Sequence, residues 1–167
     1  RTMPATLRLK ELIATRLGKP RLLFCHARQR PPSSKRNGQL HAGYRYPSGM
    51  RELMELVDWC RYVVGEEPTS VVGVQHHQPQ GSESDYQMLS LDFSPTGGPG
   101  SGPFAHISFG SSLSPRWPEA VSFRPPAALQ VCCENGVAFV DLPATLVWFD
   151  EAGQHLESLE SERPVGE

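Results

Sequence analysis

Residues 49–68 read GMRELMELVDWCRYVVGEEP, and the rest of the chain is organised around them. Met50, Leu53, Val57, Cys60 and Val64 recur at intervals of three and four, the spacing of one face of an α-helix. Arg51, Glu55, Asp58 and Tyr62 repeat the same way on roughly the opposite face. Ser48 stands in the N-cap position, but Arg51 occupies the place where a capping box needs an acid. Gly65 is placed to close the helix, and Pro68 forbids a restart. A helix of this kind lays its apolar face on a sheet and leaves a polar flank for something else.

Upstream, residues 4–17 predict a first helix, with Leu9, Leu12, Ile13 and Leu17 as its stripe, Pro4 in its first turn and Gly18 at its end. RLLFCHARQ (21–29) follows as a strand with both faces partly covered. Residues 30–48, RPPSSKRNGQLHAGYRYPS, have neither period. They are basic and rich in Pro and Gly, and a loop this long in a compact domain is either functional or disordered.

Downstream the signal is all β. Strands are predicted at 69–77, 85–93, 103–113 and 145–150, with shorter or weaker ones at 120–124 and over QHLESLE. SPTGGPGSG (94–102) reads as a flexible loop. AALQVCCENGVAFVDL (127–142) reads as a hairpin turning at Asn135-Gly136. Helices first and consecutive strands after predict an α+β fold: an open, mostly antiparallel sheet of six or more strands, with two main helices packed on one face.

The chain has 167 residues, enough for one sizeable core, so 1–167 is expected to form a single domain. A net charge of −2 and a pI of about 6.3 argue against nucleic acid as a partner. No apolar run is long enough for a membrane span, and no signal peptide opens the sequence. Cys25, Cys60, Cys132 and Cys133 read as reduced core residues of a cytoplasmic protein rather than a disulfide framework.

No GxGxxG, GxSxG, HExxH or CxxC is present, so neither a cofactor-binding nor a metal-ligating motif is expected. Neighbouring strand residues point to opposite faces, so neither Cys132-Cys133 nor His76-His77 makes a metal pair. His26 and His106 read as satisfied histidines within strands. Arg51 and Glu55 lie four apart. They are either a surface ion pair of about 0.3 kcal/mol or one wall of a polar site. His41, Tyr44, Arg45 and Tyr46 add donors and aromatic rings just upstream, a lining suited to phosphate, carboxylate or sugar hydroxyls.

The segment NGQLHAGYRYPSGMRELMELVDWCRYVVGEEPTSVVGV resembles the second domain of the Gfo/Idh/MocA oxidoreductases, whose chains carry a segment like GGxLxDxGxHxxDxxRxLxGexPxxV. Asp58, Arg61, Gly65, Glu66, Pro68 and Val71 fall in register. LKELIATRLGKPRLLF resembles that domain's helix–Gly–strand entry, and the stretch from Leu129 to Leu159 resembles its hairpin region. The resemblance runs from about residue 7 to 164.

It implies a C-terminal, substrate-binding and oligomerisation half. The N-terminal Rossmann domain that holds NAD or NADP is absent from this chain, as is the family's cofactor-contacting lysine. The implied substrate is a sugar, polyol or similar hydroxy compound, and the implied assembly is a homo-oligomer through the open sheet face. Where the family carries its catalytic Asp and His, this chain has Arg51 and Glu55. Arginine is no base at neutral pH, so Glu55 and His41 are the candidate proton acceptors, and Arg51, Tyr44, Arg45 and Tyr46 the candidate substrate contacts. The lost pair keeps an alternative open, an inactive family member serving as a binding or assembly module.

Overall fold

The computed structural model describes residues 3–28, 50–77, 84–95, 98–110 and 128–159. Helix α1 spans Pro4–Leu12, strand β1 Pro20–Arg28 and helix α2 Met50–Val64. Seven strands follow: β2 (Ser70–His77), β3 (Ser84–Asp92), β4 (Phe104–Gly110), β5 (Leu129–Cys133), β6 (Val137–Asp141), β7 (Thr145–Asp150) and β8 (Gly153–Ser158). They form one eight-stranded sheet in the order β2-β3-β4-β1-β5-β6-β7-β8. Every neighbouring pair is antiparallel except β1 with β4, so the fold is the α+β arrangement that the pattern predicts. The parallel pair arises because α2 and the β2–β3 hairpin lie between its two strands in sequence, long enough for a crossover.

The register puts one apolar set on one face. Leu23 and Cys25 of β1 lie beside Ala105 and Ile107 of β4 and beside Val131 and Leu129 of β5. The row continues through Ala138 and Val140 to Trp148 and Leu146. All are buried, and they form one core with Leu9, Leu12 and Leu17 of the first helix and Leu53, Cys60 and Val63 of α2. Burying each large side chain of this set contributes roughly 1.5–3 kcal/mol.

The opposite face is open. Leu22, Phe24, Met88, Phe104 and Phe149 lie on it, all more than a third exposed. The expectation that both faces of β1 are partly covered is therefore corrected: the two helices cover only one. β2 is exposed at every position, because neither helix reaches that edge of the sheet. Its residues carry no Lys, Arg, Asp or Glu.

Three local readings also change. α1 does not run on as an α-helix to residue 17 but continues as a π-helical turn, Ile13–Leu17, ended by Gly18 at φ 74°. Leu17 stands five residues after Leu12. The wider turn, with its five-residue hydrogen-bond spacing, brings it round to the buried face. The β5–β6 hairpin turns one residue earlier than predicted, because the Cys133 amide donates to the Gly136 carbonyl at 2.8 Å and leaves Glu134 and Asn135 between. The turn amides of Glu134 and Asn135 donate to the carbonyls of Lys19 and Leu17, so docking onto the chain after α1 overrides the local turn preference. Finally, the cysteines divide. Cys25 and Cys60 are buried, whereas Cys132 and Cys133 are only half-buried. The predicted strand at 120–124 and the Ser48 cap lie outside the described residues.

Candidate functional site

Helix α2 is held by its apolar stripe and by two polar fasteners to α1. The buried indole of Trp59 donates to the Thr6 hydroxyl at 3.1 Å. Lys10 donates through Nζ to the Val63 carbonyl at 3.1 Å, capping a terminal carbonyl, and sits 5.6 Å above the Tyr62 ring. Gly65, at φ 86°, takes its amide proton back to the Arg61 carbonyl and ends the helix as the sequence predicts. Trp59 and Val63 were missed by a stripe drawn through Met50, Leu53, Val57, Cys60 and Val64. The signal that finds them is the second row, Leu56-Trp59-Val63, which α1 covers from the side.

With that face committed, the polar flank faces outward. Arg51 Nε donates to Glu55 Oε1 at 3.0 Å, with the two side chains 85% and 63% exposed. Further along, Arg61 grips Glu67 with two bonds of 2.7 and 2.5 Å and reaches Asp58 at 3.5 Å. This fork braces the turn that redirects the chain from α2 to β2. Two of the residues in register with the resemblance, Asp58 and Arg61, thus have a structural account of their own.

The structure brings Arg51 and Glu55 together. His41, Tyr44, Arg45 and Tyr46 lie outside the described residues. Of the strand histidines, His26 shares a hydrogen bond of 2.8 Å with the Ser108 hydroxyl on the open face. His76 and His77 are exposed at the end of β2. A second polar cluster surrounds Asp150, which accepts from Arg16 at 2.6 Å, His155 at 3.1 Å and the Ala152 amide at 2.9 Å. Burial pushes the Asp150 carboxyl up, but these donors, led by His155, outweigh it and hold the carboxyl below its usual range. The His155 ring stacks on Trp148 at 4.8 Å. A shallow depression lies over the adjoining turns, lined by Arg16, Asn135, Asp150, Glu151 and Ala152, and no residue of α2 contributes to it. Among the described residues no group of three or more His, Cys, Asp or Glu is placed to hold a metal ion, and no helix is long and apolar enough to cross a membrane.

The chemistry available at α2 is therefore a planar donor, Arg51, suited to anionic or hydroxyl oxygens, beside a carboxylate, Glu55, able to accept a proton.

No protein-family model matches the chain, and no curated protein does. Solved structures match its fold. It is similar to an aldose-aldose oxidoreductase from Caulobacter crescentus complexed with glycerol, at a TM-score of 0.66 and 15% identity, over 97% of this chain and 46% of that one. It is similar to an oxidoreductase from Sinorhizobium meliloti, at a TM-score of 0.64 and 11% identity, over 96% of this chain and 41% of that one. A third match is an oxidoreductase from Agrobacterium radiobacter in complex with NAD+, L-tartaric acid and magnesium, at a TM-score of 0.61 and 12% identity, over 97% and 46% of the two chains. At these identities the likeness establishes the fold. The chain spans less than half the length of the structures it matches.

Proposed function

We propose that this chain is the substrate-side, C-terminal domain of an NAD(P)-dependent oxidoreductase of the Gfo/Idh/MocA type. The observation that carries the reading is the fold match, which takes in nearly all of this chain and under half of each oxidoreductase. The register of Asp58, Arg61, Gly65, Glu66, Pro68 and Val71 with the family's segment supports it. In the parent protein, hydride passes between a nicotinamide held by a separate Rossmann domain and a carbon bearing a hydroxyl, on a sugar, polyol or related compound. Arg51 orients the substrate, and Glu55 or His41 takes the proton. Tyr44, Arg45 and Tyr46 complete the lining from the preceding segment, and a second copy packs on the open sheet face. Bound NAD+ in one matched structure and glycerol in another agree with this chemistry class.

Calorimetric titration of the chain with NAD and NADP tests the division of labour. No tight binding is expected, and micromolar affinity would refute the half-enzyme reading. Turnover of a polyol and sugar panel by a protein that joins this chain to its nucleotide-binding half is the positive test. A second reading, an inactive member used for binding or assembly, is favoured by Arg51 and Glu55 standing where the family carries its catalytic Asp and His. It predicts no turnover with any member of that panel despite nucleotide binding by the joined protein.

A further inference from the structure

Cys25 of β1 and Cys60 of α2 are both shut off from solvent, and their sulfurs lie 3.5 Å apart. That is contact distance for two sulfurs, longer by roughly 1.5 Å than a disulfide bond. The pair bridges the two layers of the fold, one sulfur coming from the sheet and the other from the helix that carries Arg51 and Glu55. A structural metal does not explain it, since no third ligand of suitable type joins the pair among the described residues. Cys132 and Cys133, by contrast, are adjacent on one strand and point to opposite faces of the sheet.

We propose that Cys25 and Cys60 form a modification site, a thiol pair that a small disulfide such as oxidised glutathione converts into a covalent cross-link between α2 and β1. One cysteine, as thiolate, attacks a sulfur of the small disulfide. The S–S bond breaks, and one small thiol leaves. The second cysteine, as thiolate, attacks the resulting mixed disulfide at the protein sulfur, and the second small thiol leaves. The protein loses two protons and two electrons, and the small disulfide gains them.

The hydrogen bond with Cys60, reinforced by burial, holds the Cys25 thiol well above its ordinary range. Closure in the folded state is accordingly slow, because the thiolate is the reactive form. It is fast while α2 is lifted off the sheet or before it docks. Once formed, the link closes a loop between residues 35 positions apart and restricts the unfolded chain. The proposal does not depend on the oxidoreductase reading.

The test uses the unaltered chain, refolded in a glutathione redox buffer and, in parallel, incubated folded in the same buffer. Peptide mapping without reductant is expected to find Cys25 joined to Cys60 with the loss of two hydrogens, rapidly in the first sample and slowly in the second. The oxidised protein is expected to melt roughly 5–10 °C higher than the reduced one, a gain that dithiothreitol reverses. Cys60→Ala should abolish both the link and the redox dependence of melting. Two free thiols in the oxidising buffer, glutathione adducts without the link, or a link that lowers the melting temperature would each overturn the proposal. The mapping on the unaltered chain decides the matter even if the variant fails to fold.

Discussion

Leu53 and Glu55 stand two positions apart on α2, and substituting them separates its two faces. Leu53 is 7% exposed within the core. Leu53→Asp buries a carboxylate without a partner and is expected to cost more than about 3 kcal/mol, enough to unfold a marginal domain. Glu55→Ala removes one partner of an exposed pair and is expected to change stability by less than about 0.5 kcal/mol. Denaturant midpoints for the two variants check this, and equal losses would reverse the face assignment. Gly136 makes a second residue-level case. Its φ is not positive, so the demand for glycine comes from space alone. An added Cβ would sit 2.3 Å from the Phe149 carbonyl oxygen and 2.7 Å from Leu17 Cδ2. Gly136→Ala must push the backbone of β7 aside, at a cost of roughly 2–3 kcal/mol. Gly100→Ala meets open space at φ +78° and should cost only about 1 kcal/mol, the conformational strain alone. Urea unfolding of the pair distinguishes crowding from strain.

At the scale of elements, α1 is fastened to the sheet edge by Arg8, whose Nε and Nη2 each donate to Glu157 of β8 at 2.8 Å. The Arg8 hydrogen bonds hold the Glu157 carboxyl below its ordinary range. Its value in the folded state is thus lower than in the unfolded chain. The pair's stabilisation is fully present above the unfolded glutamate value of about 4.3 and is lost as pH falls through the folded one. Glu157→Gln is expected to melt lower than the parent at pH 7 and to converge with it as pH falls through the folded Glu157 value, the gap staying under about 1 kcal/mol because both side chains are part-exposed. Melting curves at several pH values read this directly. The two helices and the described strands along the chain were legible because their residues repeat at 3.6 or at 2, but the strands' order within the sheet was not. The π-turn at Ile13, the shifted turn at Glu134-Asn135 and the bare β2 were not, since each is decided by a neighbour distant in sequence. α2 itself was legible in its extent and its Arg51–Glu55 flank, but not in the Trp59–Val63 row that α1 covers. Of the candidate site, Arg51 and Glu55 were found paired as their spacing allows, while the segment holding His41 to Tyr46 offers no period from which a position could be read.

For the molecule as a whole, the sheet's open face exposes Leu22, Phe24, Met88, Phe104 and Phe149, and on the proposed reading a second copy covers it. Phe24 lies near its middle, flanked in register by His106 and Gln130. Phe24→Glu adds a charge there without disturbing the buried row. It is expected to shift sedimentation from dimer to monomer with little change in monomer melting, and a parent that sediments as a monomer would remove the second copy from the scheme. The strand order carries one more consequence. β2-β3-β4 and β5-β6-β7-β8 are each made of strands adjacent in sequence, and β1 alone stitches the two sets into one sheet. Leu23 of β1 meets Val131 of β5 about a hundred residues later, so this seam is the slow, long-range step in assembly. During synthesis β1 must wait for β5 before its second edge is sealed. Until then the future centre of this sheet is still an open rim.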